Sequence, residues 1–94
     1  MELRFHKDPD IGLPHIYDHG VTEDEVRQVL ARPVESRVGS DDSMVAAGQT
    51  SAGRFLRVFF VPDSHGDGVF VITAYPLRGK QLRALRRRRR RKRK

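Results

Sequence analysis

The sequence predicts a small α+β domain with a short N-terminal strand, two helices, a four-stranded antiparallel meander and a C-terminal helix or tail. Three observations lead to this prediction. Helical signals are concentrated at residues 13–31, with a second group at residues 77–85, and the two-residue alternation typical of strands dominates residues 34–75. The turns between the alternating segments are short, which indicates antiparallel neighbours. Helices grouped ahead of a meander favour an α+β domain over an alternating parallel sheet.

The first elements are short. Apolar residues alternate with polar ones over residues 2–6, which predicts an N-terminal strand. A helix is predicted over residues 13–19, because Pro14 suits a first helical turn, where its missing N–H costs nothing. Gly20 then supplies the left-handed residue that commonly ends a helix.

The strongest local signal marks the start of the second helix. Thr22 is followed three residues later by Glu25, the spacing of a capping box, in which each residue satisfies a backbone N–H of the other. Three consecutive acidic residues place negative charge at the positive end of the helix dipole. A proline at position 33 predicts that this helix ends near Ala31.

The rest of the body alternates with the period of strands. Strands are predicted over residues 34–38, 44–50, 54–61 and 69–75. On the last of them, a regular alternation would direct Phe70, Ile72 and Ala74 toward the helices. A terminal helix over residues 77–85 is expected to dissolve into the run of basic residues that follows.

Charge divides the chain into two parts. Residues 86–94 hold nine of the 19 lysines and arginines, and the other ten are outnumbered by 12 carboxylates, so residues 1–85 carry a net charge of −2. We therefore predict a folded body, residues 1–85, and a disordered polybasic tail, residues 86–94, because blocks of like charge repel. The chain has no cysteine and no apolar run of transmembrane or signal-peptide type, so a cytoplasmic location is expected.

The tail predicts a polyanionic partner, most of all RNA. Cations that neutralise phosphates release counterions, which gives strong, salt-dependent binding without reading the bases. The predicted nucleic-acid-binding residues of the tail are Arg86, Arg87, Arg88, Arg89, Arg90, Arg91, Lys92, Arg93 and Lys94. The alternatives are a solubilising tail, or one that folds back on the acidic body.

Four short motifs occur in a suggestive order: His-Gly-Val-Thr at residues 19–22, Gly-Gln-Thr at 48–50, Gly-Arg at 53–54 and Val-Ile-Thr-Ala-Tyr at 71–75. This order resembles the BrnT family, the toxin half of a type II toxin–antitoxin pair. It also resembles a related family of unknown function that often ends in an arginine-rich tail. The resemblance implies a RelE-like ribonuclease fold, cleavage of RNA without a metal, and a cognate DNA-binding antitoxin as a partner.

Metal-free RNA cleavage needs a base, an acid and cations around the phosphate. The residues predicted for catalysis are His19, Arg54 and Tyr75, with Arg57 and Lys80 as further phosphate contacts. Each has a structural alternative: a histidine at a helix C-terminus, arginines on a solvated sheet face, and a half-buried tyrosine at a strand end. No cofactor is predicted, and no metal, because the histidines lack the spacing of a zinc site.

Three functions remain open from the sequence. The first is a toxin-like, metal-independent ribonuclease or a degenerate relative of one. The second is a non-catalytic RNA- or ribosome-binding module, which is favoured by Asp18, where the BrnT family usually carries lysine. The third is the partner-binding subunit of an operon-encoded complex.

Overall fold

The described part of the chain folds into a five-stranded mixed sheet with helices on both faces. A computed structural model describes residues 2–64 and 66–92, and for residues 91 and 92 it describes the backbone alone. In chain order the elements are β1 (Leu3–Phe5), a 3-10 helix (His15–His19), α1 (Glu23–Ala31), β2 (Glu35–Val38), β3 (Met44–Gln49), β4 (Phe55–Pro62), β5 (Val69–Pro76) and α2 (Gly79–Lys92).

The predicted fold, built on a four-stranded antiparallel sheet, is wrong. The strand order is β1-β5-β4-β3-β2, and β1 joins the sheet parallel to β5, with Leu3 opposite Val69. The sheet is therefore mixed and has five strands. Short turns reveal only antiparallel neighbours along the chain, whereas a parallel pair needs a long connection that leaves no local signal.

The prediction of two early helices is also wrong, because residues 15–19 form a single 3-10 turn. Pro14 stands before this turn, and Gly20 ends it with a φ of 70°. Too few residues lie between them for an α-helix of several turns. Ile16 is nevertheless fully buried, so the segment closes one end of the core.

The capping box of α1 is confirmed. The Thr22 hydroxyl accepts a hydrogen bond from the Glu25 backbone N–H at 3.1 Å, and the Glu25 carboxylate accepts one from the Thr22 N–H at 3.0 Å. Val26 and Val29 are fully buried, so the apolar stripe of α1 lies on the sheet.

A β-bulge corrects the predicted inner face of β5. Phe59 pairs with Thr73 but Phe60 pairs with Val71, so Ile72 is an extra residue between the two pairs. Val71 and Ala74 therefore face the core, while Ile72 is 36% exposed.

The basic run continues a helix instead of forming a disordered tail. α2 extends to Lys92, well past Leu85, where the helix was expected to dissolve. Arginine is a good helix former, and several arginines of α2 find partners on the sheet, as described below. The predicted tail residues Arg93 and Lys94 lie outside the described residues. Among the residues described, no helix is long and apolar enough to cross a membrane.

Each face of the sheet buries its own apolar cluster. On one face, the 3-10 helix and α1 cover a larger cluster that includes Leu56, Val58 and Val71. On the other face, α2 covers a smaller cluster, which includes Leu85 and Phe55. Because α2 covers only the part of that face near Phe55, the remainder is open.

Replacing Thr22 by alanine should lower the free energy of unfolding by about 1 kcal/mol, because the first turn of α1 loses its side-chain cap. Urea unfolding followed by circular dichroism measures this change. Thr22→Ser keeps the hydroxyl and should lie within a few tenths of a kcal/mol of the wild type. Equal midpoints for the alanine variant and the wild type would contradict a stabilising role for the cap.

Candidate nucleic-acid interface

Beyond Phe55, the face of the sheet that α2 covers in part presents two rows of side chains, which we call the open face; Ala47 and Val45 are the buried members of these rows. The row nearer α2 consists of Glu35, Ala47, Arg57 and Tyr75, which lie opposite one another on β2, β3, β4 and β5. The next row consists of Arg37, Val45, Phe59 and Thr73. Strand alternation sends Leu56, Val58 and Ala74, which lie next to these residues along β4 and β5, into the core beneath α1.

Two aromatic rings lie side by side on the open face. The ring centroids of Phe59 and Tyr75 are 5.8 Å apart, with their planes tilted by 33°. Both residues are half-buried, so each ring keeps part of its surface toward solvent. His19 lies beside them, with its ring centroid 6.2 Å from that of Tyr75. Exposed rings of this kind are surfaces on which unpaired bases stack.

One arginine stands directly next to these rings, and a second lies two strands away. Arg57 is the cross-strand neighbour of Tyr75, and Arg37 lies in the row of Phe59 with Val45 between them. Within residues 2–64 and 66–92, no hydrogen bond or ion pair occupies the guanidinium of either arginine. A cavity of about 420 Å³ separates the two and reaches Arg88 on α2. The open face therefore combines stacking surfaces with available positive charge.

One side of α2 is docked on the protein. Arg88 makes two hydrogen bonds to the Glu35 carboxylate, at 2.8 and 2.7 Å, and they raise the pKa of Arg88 above its usual value. Arg86 lies 5.3 Å over the ring of Phe55 in a cation–π contact. Arg89 donates a hydrogen bond to Gln49 at 3.1 Å. These contacts hold the basic helix beside the open face.

The other side of α2 faces solvent. Lys80, Arg83, Arg87 and Arg90 are exposed. Lys80 lies in the first turn of α2. The residues predicted to contact phosphates are thus spread along the length of the helix. The described tail residues are thus divided between cations that hold the helix and cations that are available to a ligand.

The structure brings together two of the three residues predicted for catalysis. His19 and Tyr75 are neighbours at the end of β5. Arg54 is engaged elsewhere: its Nη1 donates to the Glu25 carboxylate at 2.9 and 3.1 Å and to the Gly20 carbonyl at 3.0 Å. This contact ties the start of α1 to the start of β4. Arg57, predicted only as a phosphate contact, is the arginine beside Tyr75.

A line of imidazole rings follows the edge of β5. Ring centroids are 6.2 Å apart between His6 and His15 and 5.2 Å apart between His15 and His19. The Nδ1 of His15 lies 2.9 Å from an oxygen of Asp8 and 3.6 Å from one of Asp18. The hydrogen bond with His15 lowers the pKa of Asp8. One nitrogen or carboxylate oxygen from each of Asp8, His15 and Asp18 lies within 4.8 Å of the others.

Sequence patterns did not single out Phe59, Arg37 or Thr73. One signal was available: Arg57 and Phe59 are two residues apart on a strand whose intervening residues face the core. The bulge decides which face of the sheet each residue of β5 lies on, because the residues before it face the opposite way from a regular alternation with Thr73. No local pattern marks that bulge.

No family model, curated protein or solved structure matches this chain. The resemblance to the BrnT family therefore stays a prediction. What the chain does has to be inferred from the chemistry of the open face and of α2.

Thr73 offers a test of the open face in the free protein. The hydroxyl oxygen of Thr73 is buried, and it has no hydrogen-bond partner among the described residues. Thr73→Val keeps the shape and removes the unsatisfied group, so the free energy of unfolding should rise by about 1 kcal/mol. Chemical denaturation measures this effect.

The matched control is Thr50, which is 4% exposed and accepts a hydrogen bond from the Arg54 N–H at 3.1 Å. Thr50→Val should destabilise the protein, because it strands that donor. A loss of stability in Thr73→Val equal to that in Thr50→Val would mean that the Thr73 hydroxyl is already satisfied.

Proposed function

We propose that the protein binds single-stranded RNA in the cytoplasm, with bases on the open face of the sheet and phosphates on the arginines of α2. The observation that carries this proposal is the placement of Phe59, Tyr75 and Arg57 on an uncovered sheet face, beside a helix rich in arginine. Aromatic rings and arginine planes are the surfaces on which RNA-binding proteins stack unpaired bases.

Charge supports a nucleic acid as the ligand. The body carries a net charge of −2 without the basic run, so the positive potential is concentrated on α2 and the adjoining arginines. The exposed arginines at positions 83, 87 and 90 are free to neutralise phosphates, and each phosphate contact adds to the salt dependence of binding. Single strands fit better than duplexes, because a base must be unpaired to lie flat on a ring.

Fluorescence anisotropy with a labelled 12-nucleotide RNA tests this proposal. Phe59→Ala should weaken binding about tenfold, since stacking of one base contributes roughly 1–3 kcal/mol. Replacing Arg83, Arg87 and Arg90 together by glutamine should reduce the slope of log affinity against log salt by about 2, because about 0.7 counterions are released per phosphate of a single strand.

Arg32→Ala is the matched charge control, because Arg32 is an exposed arginine at the end of α1, on the other side of the sheet. It should leave both affinity and salt slope almost unchanged. Circular dichroism spectra establish that each variant is folded. If Phe59→Ala and Arg32→Ala bind equally well, bases do not stack on the open face.

A second candidate function is metal-independent cleavage of the bound RNA by a toxin-like ribonuclease, neutralised by a cognate antitoxin. It is supported by His19 beside Tyr75, with Arg57 as the cross-strand neighbour of that tyrosine. The 2′-hydroxyl would attack the adjacent phosphorus while His19 takes its proton. The bond from phosphorus to the 5′-oxygen then breaks, which leaves a 2′,3′-cyclic phosphate, and the 5′-oxygen takes a proton from water. Arg57, in place of Arg54, would stabilise the charge that develops on the phosphate oxygens.

Incubation of the protein with single-stranded RNA in EDTA tests cleavage. An RNA with a blocked 2′-hydroxyl should stay intact, and His19→Ala should slow cleavage roughly 10²-fold or more, because it removes a general base. His6→Ala is the control, since His6 lies farther along the line of imidazoles. Intact RNA with binding retained would exclude cleavage and leave the binding function standing.

A further inference from the structure

A second cavity adjoins the aromatic pair on the open face. Its volume is about 410 Å³, within the range of sites that take small organic groups. The turn between β2 and β3 forms one wall, and β4 and β5 form the floor, which includes Phe59, Thr73 and Tyr75. Val61 and Ile72 extend the apolar part of the lining.

We propose that this cavity takes one nucleobase of the bound strand, guanine in preference to uracil, and that Asp41 and Thr73 recognise its edge. The inference rests on the proposed RNA binding, because the rest of the strand supplies most of the affinity. It adds base selectivity to a surface whose arginines bind any sequence.

A base fits the cavity better than an apolar peptide does. The floor offers the faces of Phe59 and Tyr75 for stacking, and Asp41 is the charged residue of the lining. Arg57 lies outside the cavity, next to Tyr75 on the neighbouring strand. A nucleotide brings a flat ring with hydrogen-bond donors for the cavity and a phosphate for this arginine in a single unit. An apolar side chain would leave Asp41 and Arg57 without a partner.

The turn holds Asp41 in a defined position at the wall. Ser43 donates two hydrogen bonds to the Ser40 carbonyl, from its backbone N–H at 3.0 Å and from its hydroxyl at 2.6 Å. Asp41 has a φ of 54° and Asp42 a φ of 64°, so both adopt the left-handed conformation. An ionised carboxylate only accepts hydrogen bonds. It therefore favours base edges that donate.

Guanine offers the best match to such a carboxylate, because its N1–H and N2–H are parallel neighbouring donors that one carboxylate can accept together. Uracil offers a single N–H flanked by carbonyl oxygens, which an Asp41 carboxylate repels. Thr73 also lines the cavity, and its buried hydroxyl has no partner among the described residues. A rotation about χ1 that brought this hydroxyl into the cavity would give it the missing hydrogen bond, with the base as its partner.

The experiment compares four RNA octamers that differ only at one central position in a run of uridines: guanosine, adenosine, uridine or an abasic site. Anisotropy titrations at fixed salt measure each affinity. The wild type should bind the guanosine octamer about tenfold more tightly than the all-uridine octamer, which corresponds to about 1.4 kcal/mol and lies within the usual range for one bidentate contact.

Asp41→Asn should abolish this preference, and Asp42→Asn should keep it. Asp42 is the matched control, because it has the same charge, the same turn and the same left-handed backbone, but it does not line the cavity. Asparagine tolerates this backbone, so both variants should fold. Both remove one negative charge and should raise the affinity for the all-uridine octamer equally. Thr73→Val should reduce the preference for guanosine, because the cavity loses one hydroxyl.

The outcomes separate the two proposals. If no octamer binds, the proposed RNA binding itself fails. If all four octamers bind with equal affinity, RNA binding stands and the nucleobase cavity is excluded. A guanosine preference that is the same in Asp41→Asn and Asp42→Asn also overturns the cavity proposal, because the selectivity then arises elsewhere on the protein.

Discussion

The burial of Leu85 against the second face of the sheet decides where the positive charge of this protein lies. Leu85 is fully buried in a cluster with Phe55, Ala47 and Leu77. Because an α-helix advances only 1.5 Å per residue, the arginines after this anchor remain beside the sheet, and Arg88 reaches β2. Without the anchor, the basic run would have no fixed relation to the aromatic pair.

The same anchor leaves the open face uncovered. α2 has a narrow apolar stripe, because most of its residues beyond Leu85 are arginines, and a narrow stripe covers only one strip of a sheet. The ion pair between Arg88 and Glu35 lies at the edge of that strip. The composition of α2 thus has two effects. Its leucines pack against the sheet, and its arginines keep its apolar surface too narrow to cover the rest of the face.

Features set by neighbouring residues could be predicted from the sequence, and features set by distant pairing could not. The cap at Thr22 depends on residues within one helical turn, and it is present as expected. The parallel addition of β1 depends on Val69, and the bulge at Ile72 depends on a register shift in the partner strand. Neither has a local signature. The length of α2 was missed because repulsion within the arginine run was expected to outweigh contacts that appear only in the folded protein.

The candidate site shows the same division. His19, Arg57 and Tyr75 could be singled out by residue type and strand position, and the structure places them at one end of the sheet. Arg54 has the same chemistry as Arg57, but its partner Glu25 comes from α1. Residue type alone cannot distinguish an arginine that awaits a ligand from one that already holds a carboxylate. Asp41 required the cavity to be seen, since a turn aspartate is otherwise unremarkable.

The parallel pairing of β1 with β5 has a consequence for how the chain acquires its structure. Leu3 pairs with Val69, so the pairing of β1 with β5 closes a loop that contains most of the described chain. Closing so large a loop is entropically costly, and contacts between residues far apart in the chain slow folding. During synthesis the β1 segment leaves the ribosome before β5, and it can pair only after β5 has emerged. The edge of β5 that β1 covers stays open until that pairing forms, and an open strand edge is where another chain can pair.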